Sequence, residues 1–240
     1  MAHFVLVHGA FGSAANWDPI VPLLREARHT VEAIDLPGQA EDATPVERIT
    51  LDAYAQRVVE ALQAGPEPAI LVGHSMGGVV VTQAASEAPE LVDQVVYVAA
   101  FLPRDGESLL DLAGLPEGEG DGVQANIVVA GDPPVATMPR AAAREVLFGE
   151  LEDGPLLEWA LERVYPQPVI PFATPVDLAE HEVRRRYVLA RRDRAIPPAL
   201  QRRFIAERGV DRSLEIDTDH SPFLSRPAEL AAALLAFAAD

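Results

Sequence analysis

The sequence predicts an α/β fold: a mainly parallel sheet of about six strands, helices on both faces, and an inserted helical cap. Three observations predict it. Short, continuously apolar runs alternate with helix-period segments through the first hundred residues. That alternation stops near Pro103 and resumes near Arg186. A serine flanked by glycines stands between one apolar run and one helical segment, at Gly73-His74-Ser75-Met76-Gly77.

In chain order, Phe4–Val7 reads as a buried strand followed by a Gly/Ala/Ser loop. A helix is expected from about Trp17 to Ala27, with Pro19 and Pro22 in its early turns, then a strand over Thr30–Ile34. Leu51–Ala64 carries Leu51, Tyr54, Val58 and Leu62 on one helical stripe. Ala69–Val72 is the third strand and Asp93–Ala100 the fourth. Prolines, an acidic Gly-rich stretch (Glu117–Gly122) and short helical segments such as Leu156–Val164 then interrupt the pattern, which reads as an insertion rather than a new sheet. It returns with a strand at Arg186–Ala190, a helix at Pro197–Arg208, a strand at Ser213–Ile216 and a terminal helix at Pro227–Ala239. The division expected is a core of residues 1–103 and 181–240 with a cap insertion over 104–180.

Composition narrows the chemistry. The 240 residues hold 37 acidic and 19 basic side chains, a net charge of −18, which argues against nucleic acid and anionic membrane as partners. Cysteine is absent, which removes disulfides, thiolate metal sites and a cysteine nucleophile. Every basic residue is arginine, so Schiff-base and P-loop lysine chemistry are excluded. Ten of those arginines lie between Arg184 and Arg212, where they read as solvated faces balancing an acidic surface. The N-terminus shows no secretory pattern and no run approaches the ~18 apolar residues of a membrane span, so the expectation is a cytoplasmic protein. Its oligomeric state stays open between monomer and homodimer.

A strand–Gly-x-Ser-x-Gly–helix arrangement places Ser75 on a sharp turn above the carboxyl edge of the sheet, with Gly73, Gly77 and Gly78 giving room where strand and helix pass closely. A serine hydroxyl needs a base. Among the six histidines, His3 and His29 read as exposed, His8 and His74 as backbone-orienting residues in glycine loops, and His181 as part of the cap exit. His220 follows the last strand at the same edge as Ser75 and is the candidate base. Asp193, in the loop after Arg186–Ala190, is the first-ranked partner for that histidine, with Asp105, Asp217 and Asp219 as rivals. Backbone N–H groups of Ala10 (or Phe11) and Met76 are the candidate oxyanion donors.

These residues together resemble the α/β-hydrolase superfamily, and within it the group of plant methyl esterases, hydroxynitrile lyases and small bacterial carboxylesterases. The resemblance spans Phe4–Ala10, Gly73–Gly78, Tyr187–Pro197 and Asp219–Phe223. It implies a family core without its first two antiparallel strands, hence six parallel strands, and a Ser75–His220–Asp193 triad that needs neither cofactor nor metal. Cyanohydrin-cleaving plant relatives carry a lysine after the histidine and a threonine at the position of Gly9; here Ser221 follows His220 and there is no lysine, so ester hydrolysis is favoured over lyase chemistry. Dehalogenase relatives carry aspartate where Ser75 stands, and haloperoxidase relatives share the triad, which leaves peracid formation as a side activity. The expected substrate is a small, largely apolar carboxylic ester, with Phe11, Met76, Phe101, Leu102, Phe148, Trp159 and Phe172 as candidate pocket walls. A C–C bond hydrolase, a hydroxynitrile-lyase-like enzyme and a ligand-binding receptor with weak catalysis are the alternatives on the same fold.

Overall fold

A computed structural model describes residues 1–66, 68–179 and 182–240. Its centre is one six-stranded sheet built from β1 (His3–Val7), β2 (Thr30–Ile34), β3 (Ala69–His74), β4 (Val92–Val98), β8 (Arg184–Ala190) and β9 (Arg212–Ile216). The order is β2-β1-β3-β4-β8-β9 and every adjacent pair is parallel. Alternate strand residues feed two separate cores. Val5, Val7, Leu71, Val95, Tyr97 and Leu189 face α2 (Leu51–Ala64), α3 (Gly77–Glu87) and α9 (Pro198–Glu207). Phe4, Leu6, Ile70, Val72, Val96 and Val188 face α1 (Val21–Glu26) and α11 (Pro227–Ala238). Each such buried side chain contributes about 1.5–3 kcal/mol by leaving water, and dry faces on both sides explain why the inner strands β1 and β3 read as unbroken apolar runs, whereas the edge strands β2 and β9 keep exposed residues.

Local chemistry sets the helix ends. Thr50 caps α2 by accepting from Ala53 N at 3.1 Å, and prolines stand in the first turns of α1, α9 and α11, where no backbone donor is lost. The single helix expected over Trp17–Ala27 is instead a 3₁₀ turn, Ala14–Trp17, followed by α1; Pro22 can open a helix but cannot donate within one.

The chain leaves the sheet after β4 and returns at β8. Between them lie α4 (Leu109–Ala113), α5 (Gly122–Asn126), α6 (Arg140–Val146), α7 (Pro155–Leu161) and α8 (Ile170–Ala173). The sequence reading expected only helices here. The segment also holds a small antiparallel sheet of β5 (Val128–Ala130), β6 (Val135–Thr137) and β7 (Gln167–Pro168). These strands are two or three residues long, too short for a period of two to show. His181, expected at the cap exit, lies outside the described residues. No helix among the described residues is long and apolar enough to cross a membrane.

Strand order reverses direction between β1 and β3, whose carboxyl ends are adjacent through the Val7–Gly73 pairing. Open parallel sheets bind ligands at such a reversal, because the loops leave in opposite directions and open a crevice.

Candidate active site

Ser75 sits at this crevice with φ +54°, a left-handed conformation that costs a non-glycine residue free energy and is held by its surroundings. Its N–H donates to Val98 O at 3.3 Å, and its carbonyl accepts from Gly78 N and Phe101 N. The flanking glycines are required by close approach. A Cβ on Gly73 would stand 2.6 Å from Gly77 O, and one on Gly77 would stand 2.7 Å from His8 O. A Cβ on Gly78 would overlap Phe101 O. Gly9 is equally constrained, since its Cβ would lie 2.7 Å from Ser75 Cβ and 2.9 Å from His74 Nδ1.

β8 and β9 bring the next two groups together. Asp193 is buried, and its Oδ1 accepts from Ala195 N (2.7 Å) and Ile196 N (2.9 Å). Its Oδ2 accepts from Gln201 Nε2 (2.9 Å) and from His220 Nδ1 (2.8 Å). A carboxylate only accepts, so the His220 proton sits on Nδ1 and leaves the Nε2 lone pair available. Burial works against the His220 imidazolium, but Asp193, with Asp219 and Asp121 beyond it, outweighs that and raises the pKa above 6.5. The rival acids have other partners. Asp219 Oδ1 accepts from Ser221 N and Ser225 Oγ, and its Oδ2 accepts from Glu150 N. Asp217 faces Arg192, and Asp105 accepts from Leu178 N.

Two further histidines hold the loops. His74 Nε2 donates to His220 O at 2.8 Å, and its ring lies 4.6 Å from that of His220. Burial and the neighbouring His220 both press its pKa well below 6.5, so it stays neutral. His8 donates from Nδ1 to Gly9 O and accepts from Leu36 N at Nε2, again a neutral ring, its pKa lowered by burial. Each therefore orients backbone, in keeping with the sequence reading. His3, expected to be exposed, is buried and bonds Thr30 Oγ1 through Nδ1, because the first strand is internal to the sheet from its first residue.

Ser75 and His220 open onto one cavity. Of the anticipated walls, Phe11, Met76, Phe101 and Phe172 line it. Three do not. Leu102 is packed in the core on the α2/α3 side, and Trp159 lies beneath the Arg163 guanidinium, whose carbon is 4.6 Å from the ring centre. Phe148 lines a separate, smaller cleft that His220 also lines. The remaining cavity walls come mostly from the cap, including Leu109, Leu110, Val123 and Ile127, with Asp121 and Gln124 as polar members. Asp121 caps α5 through Val123 N and Gln124 N, and burial raises its pKa. No motif marks these residues in the sequence; the folded cap alone brings them over Ser75.

Of the two alternative loop donors, Phe11 N–H is engaged by Gln167 Oε1 at 3.4 Å. Ala10 N–H and Met76 N–H have no protein partner among the described residues. Met76 precedes the first residue of α3, where the helix dipole is positive.

The sequence of residues 4–233 matches the profile of the alpha/beta hydrolase family. The chain is 31% identical over 248 residues to the putative chloroplastic methylesterase 11 of Arabidopsis thaliana, covering 98% of this chain and 64% of that protein. It therefore spans just under two thirds of that relative's length. It is also 31% identical over 256 residues to the alpha-hydroxynitrile lyase of the same plant, covering 99% and 97%. A crystal structure of a pyrethroid hydrolase superposes with a TM-score of 0.89 at 27% identity, covering 99% of this chain and 97% of that one. With a parallel six-stranded sheet, a serine held in a strained strand–helix turn and a profile match over nearly its full length, the chain belongs to the alpha/beta hydrolase family.

Proposed function

We propose that this protein is a serine hydrolase that cleaves small, largely apolar carboxylic esters through an acyl-enzyme. One observation carries the reading: His220, held by Asp193 with its Nε2 lone pair available, shares a mostly apolar cavity with the strained Ser75. In this reading Ser75 Oγ attacks the ester carbonyl carbon while its proton passes to His220 Nε2. Asp193 stabilises the imidazolium so formed. Ala10 N–H and Met76 N–H receive the negative oxygen of the tetrahedral intermediate. The C–O bond then breaks, and the His220 proton goes to the departing alkoxide, releasing the alcohol. Water, deprotonated by His220, attacks the acyl-serine; the acyl–Oγ bond breaks, the His220 proton returns to Ser75 Oγ and the acid is released. The named relatives include esterases and hydrolases, which supports the reading. No step calls for a metal or a cofactor.

A hydroxynitrile lyase is among the relatives, so cyanohydrin cleavage is the second reading. Position 9 speaks against the threonine-bearing type of lyase, since even a Cβ there would crowd Ser75. The test is Ser75→Ala beside the wild type on p-nitrophenyl acetate and butanoate and on mandelonitrile. We expect ester turnover in the wild type, at least a thousandfold (~10³) loss in the variant, and an acyl adduct on Ser75 by mass spectrometry. Undiminished ester cleavage by the variant overturns the proposal, and faster cyanohydrin than ester turnover in the wild type selects the lyase reading.

A further inference from the structure

The cavity and the neighbouring cleft meet at the reaction centre, sharing Ala10, Phe11, Leu147 and His220. They differ in what else they reach. Ser75 and Met76 belong to the cavity alone, whereas Ser221, Asn16 and Arg163 belong to the cleft alone. Their charges also differ in sign. Besides His220, the ionisable lining of the cavity is the buried Asp121 carboxylate. Among the described residues no carboxylate lines the cleft; besides His74 and His220, its ionisable group is the Arg163 guanidinium.

Arg163 is set up to meet a ligand. Most arginines of this chain face a carboxylate, as in the pairs Arg192–Glu150 and Arg226–Glu150, but Arg163 has no acidic partner among the described residues. It is nonetheless held in place, donating from Nη1 to Trp159 O at 3.1 Å and lying over the Trp159 ring. Its segment is tied to the reaction centre by Tyr165 N, which donates to Phe11 O at 2.9 Å. Asn16, packed against Gly12, adds a neutral amide to the same wall. A half-buried, oriented cation in a protein of net charge −18 favours an anionic group over a neutral one.

We propose that the two spaces have fixed roles: the cavity takes a neutral apolar acyl group, and the Arg163 cleft takes the alcohol portion of an ester whose alcohol carries an anionic group such as a carboxylate. This rests on the hydrolase reading above. The acyl carbon bonds to Ser75, so the acyl chain occupies the space that contains Ser75 and Met76. His220 lines the cleft as well as the cavity, so an alcohol portion in the cleft leaves beside the group that protonates it. Asp121 repels an anion from the acyl side, and Arg163 attracts one on the alcohol side.

Four phenolic esters test this. In 4-acetoxybenzoate the leaving group is anionic, and 4-acetoxybenzamide is its neutral counterpart. Monophenyl succinate places the anion on the acyl side, with phenyl butanoate as its neutral counterpart. The readout is the anionic-to-neutral ratio of kcat/KM within each enzyme. We expect Arg163→Gln to lower the ratio for the acetoxy pair at least about tenfold, the share of one charge-assisted hydrogen bond. Asn16→Asp, which adds an anion to the cleft and keeps the arginine, should lower the same ratio. The succinate ratio should be below that of the acetoxy pair in the wild type. An acetoxy ratio unchanged in both variants, or an anion preferred on the acyl side, overturns the assignment while leaving the hydrolase reading intact. Full turnover of all four esters by Ser75→Ala overturns the hydrolase reading, and the assignment with it.

Discussion

Asp193→Asn changes one oxygen for an amide nitrogen at a site where all four contacts come from donors. The wild-type carboxylate accepts from Ala195 N, Ile196 N, Gln201 Nε2 and His220 Nδ1, all within 2.9 Å. Asparagine keeps a single acceptor atom. If that oxygen stays on the two backbone amides, its NH₂ faces Gln201 Nε2 and His220 Nδ1. Gln201 cannot turn to help, because its Oε1 accepts from Ala190 N and its Nε2 also donates to Ile196 O. His220 must then accept at Nδ1, so its proton moves to Nε2, the atom that should receive the proton of Ser75. The same tautomer error costs about 10⁴ in kcat in the chymotrypsin-type triad, and we expect a similar loss here. The opposed donors cost about 1–3 kcal/mol of stability, which a thermal melt reads separately from turnover. The assay is kcat on p-nitrophenyl acetate at pH 8, with circular dichroism to establish folding. A folded Asp193→Asn protein within tenfold of wild-type kcat would refute the assignment of Asp193 as the partner of the base.

Two further outcomes follow from the geometry. Because the His220 pKa is raised above 6.5 and the reaction needs its neutral form, kcat/KM should fall as pH drops through a midpoint above 6.5, measurable as a pH–rate profile. Stability falls in the same direction through His3, His8 and His74, whose folded pKa values are depressed by burial. Below pH 6.5 the unfolded chain takes up protons that these folded rings refuse, so stability present above 6.5 is lost as pH falls. His220 opposes this, adding stability below 6.5 that disappears as pH rises through its folded value. Denaturant titrations at pH 7.5 and 5.5 should show the net loss at the lower pH, with three depressed rings against one raised. At Gly78, alanine would ordinarily favour a helix, yet its Cβ would overlap Phe101 O and lie 2.9 Å from Ala100 Cβ. We expect Gly78→Ala to cost about 1–3 kcal/mol, whereas Gly154→Ala, at an extended residue with open space around it, should leave Tm unchanged.

The strands and the serine turn were readable because their chemistry is local. β2 and α2 begin and end at the residues expected, since the edge strand still buries Val31 and Ile34 and a half-buried helix keeps its stripe. Asp193 was legible from chain order and the strand it follows, and the structure places it against the His220 ring. The cap resisted reading for the converse reason. Val128 and Val129 of β5 are exposed, so burial leaves no alternation there, and Pro168 ends β7 at once. Leu102, Phe148 and Trp159 are apolar enough for a pocket wall, but composition does not say which way a cap residue faces. Asp121 and Arg163 carry no motif; the fold alone brings the first to the cavity and the second to the cleft, both of which His220 lines.

Gln167 lends the inserted segment a second duty. Its Oε1 receives Phe11 N and Gln39 Nε2, while its Nε2 reaches Tyr54 Oη and Pro168 O, so one fully buried side chain splints the loop after β1 to α2 and to β7. A roof fastened this way cannot lift as a rigid lid without freeing Phe11 N and loosening the loop that presents Ala10. Entry to the cavity then falls to local side-chain movement around Leu110, which is already exposed to water.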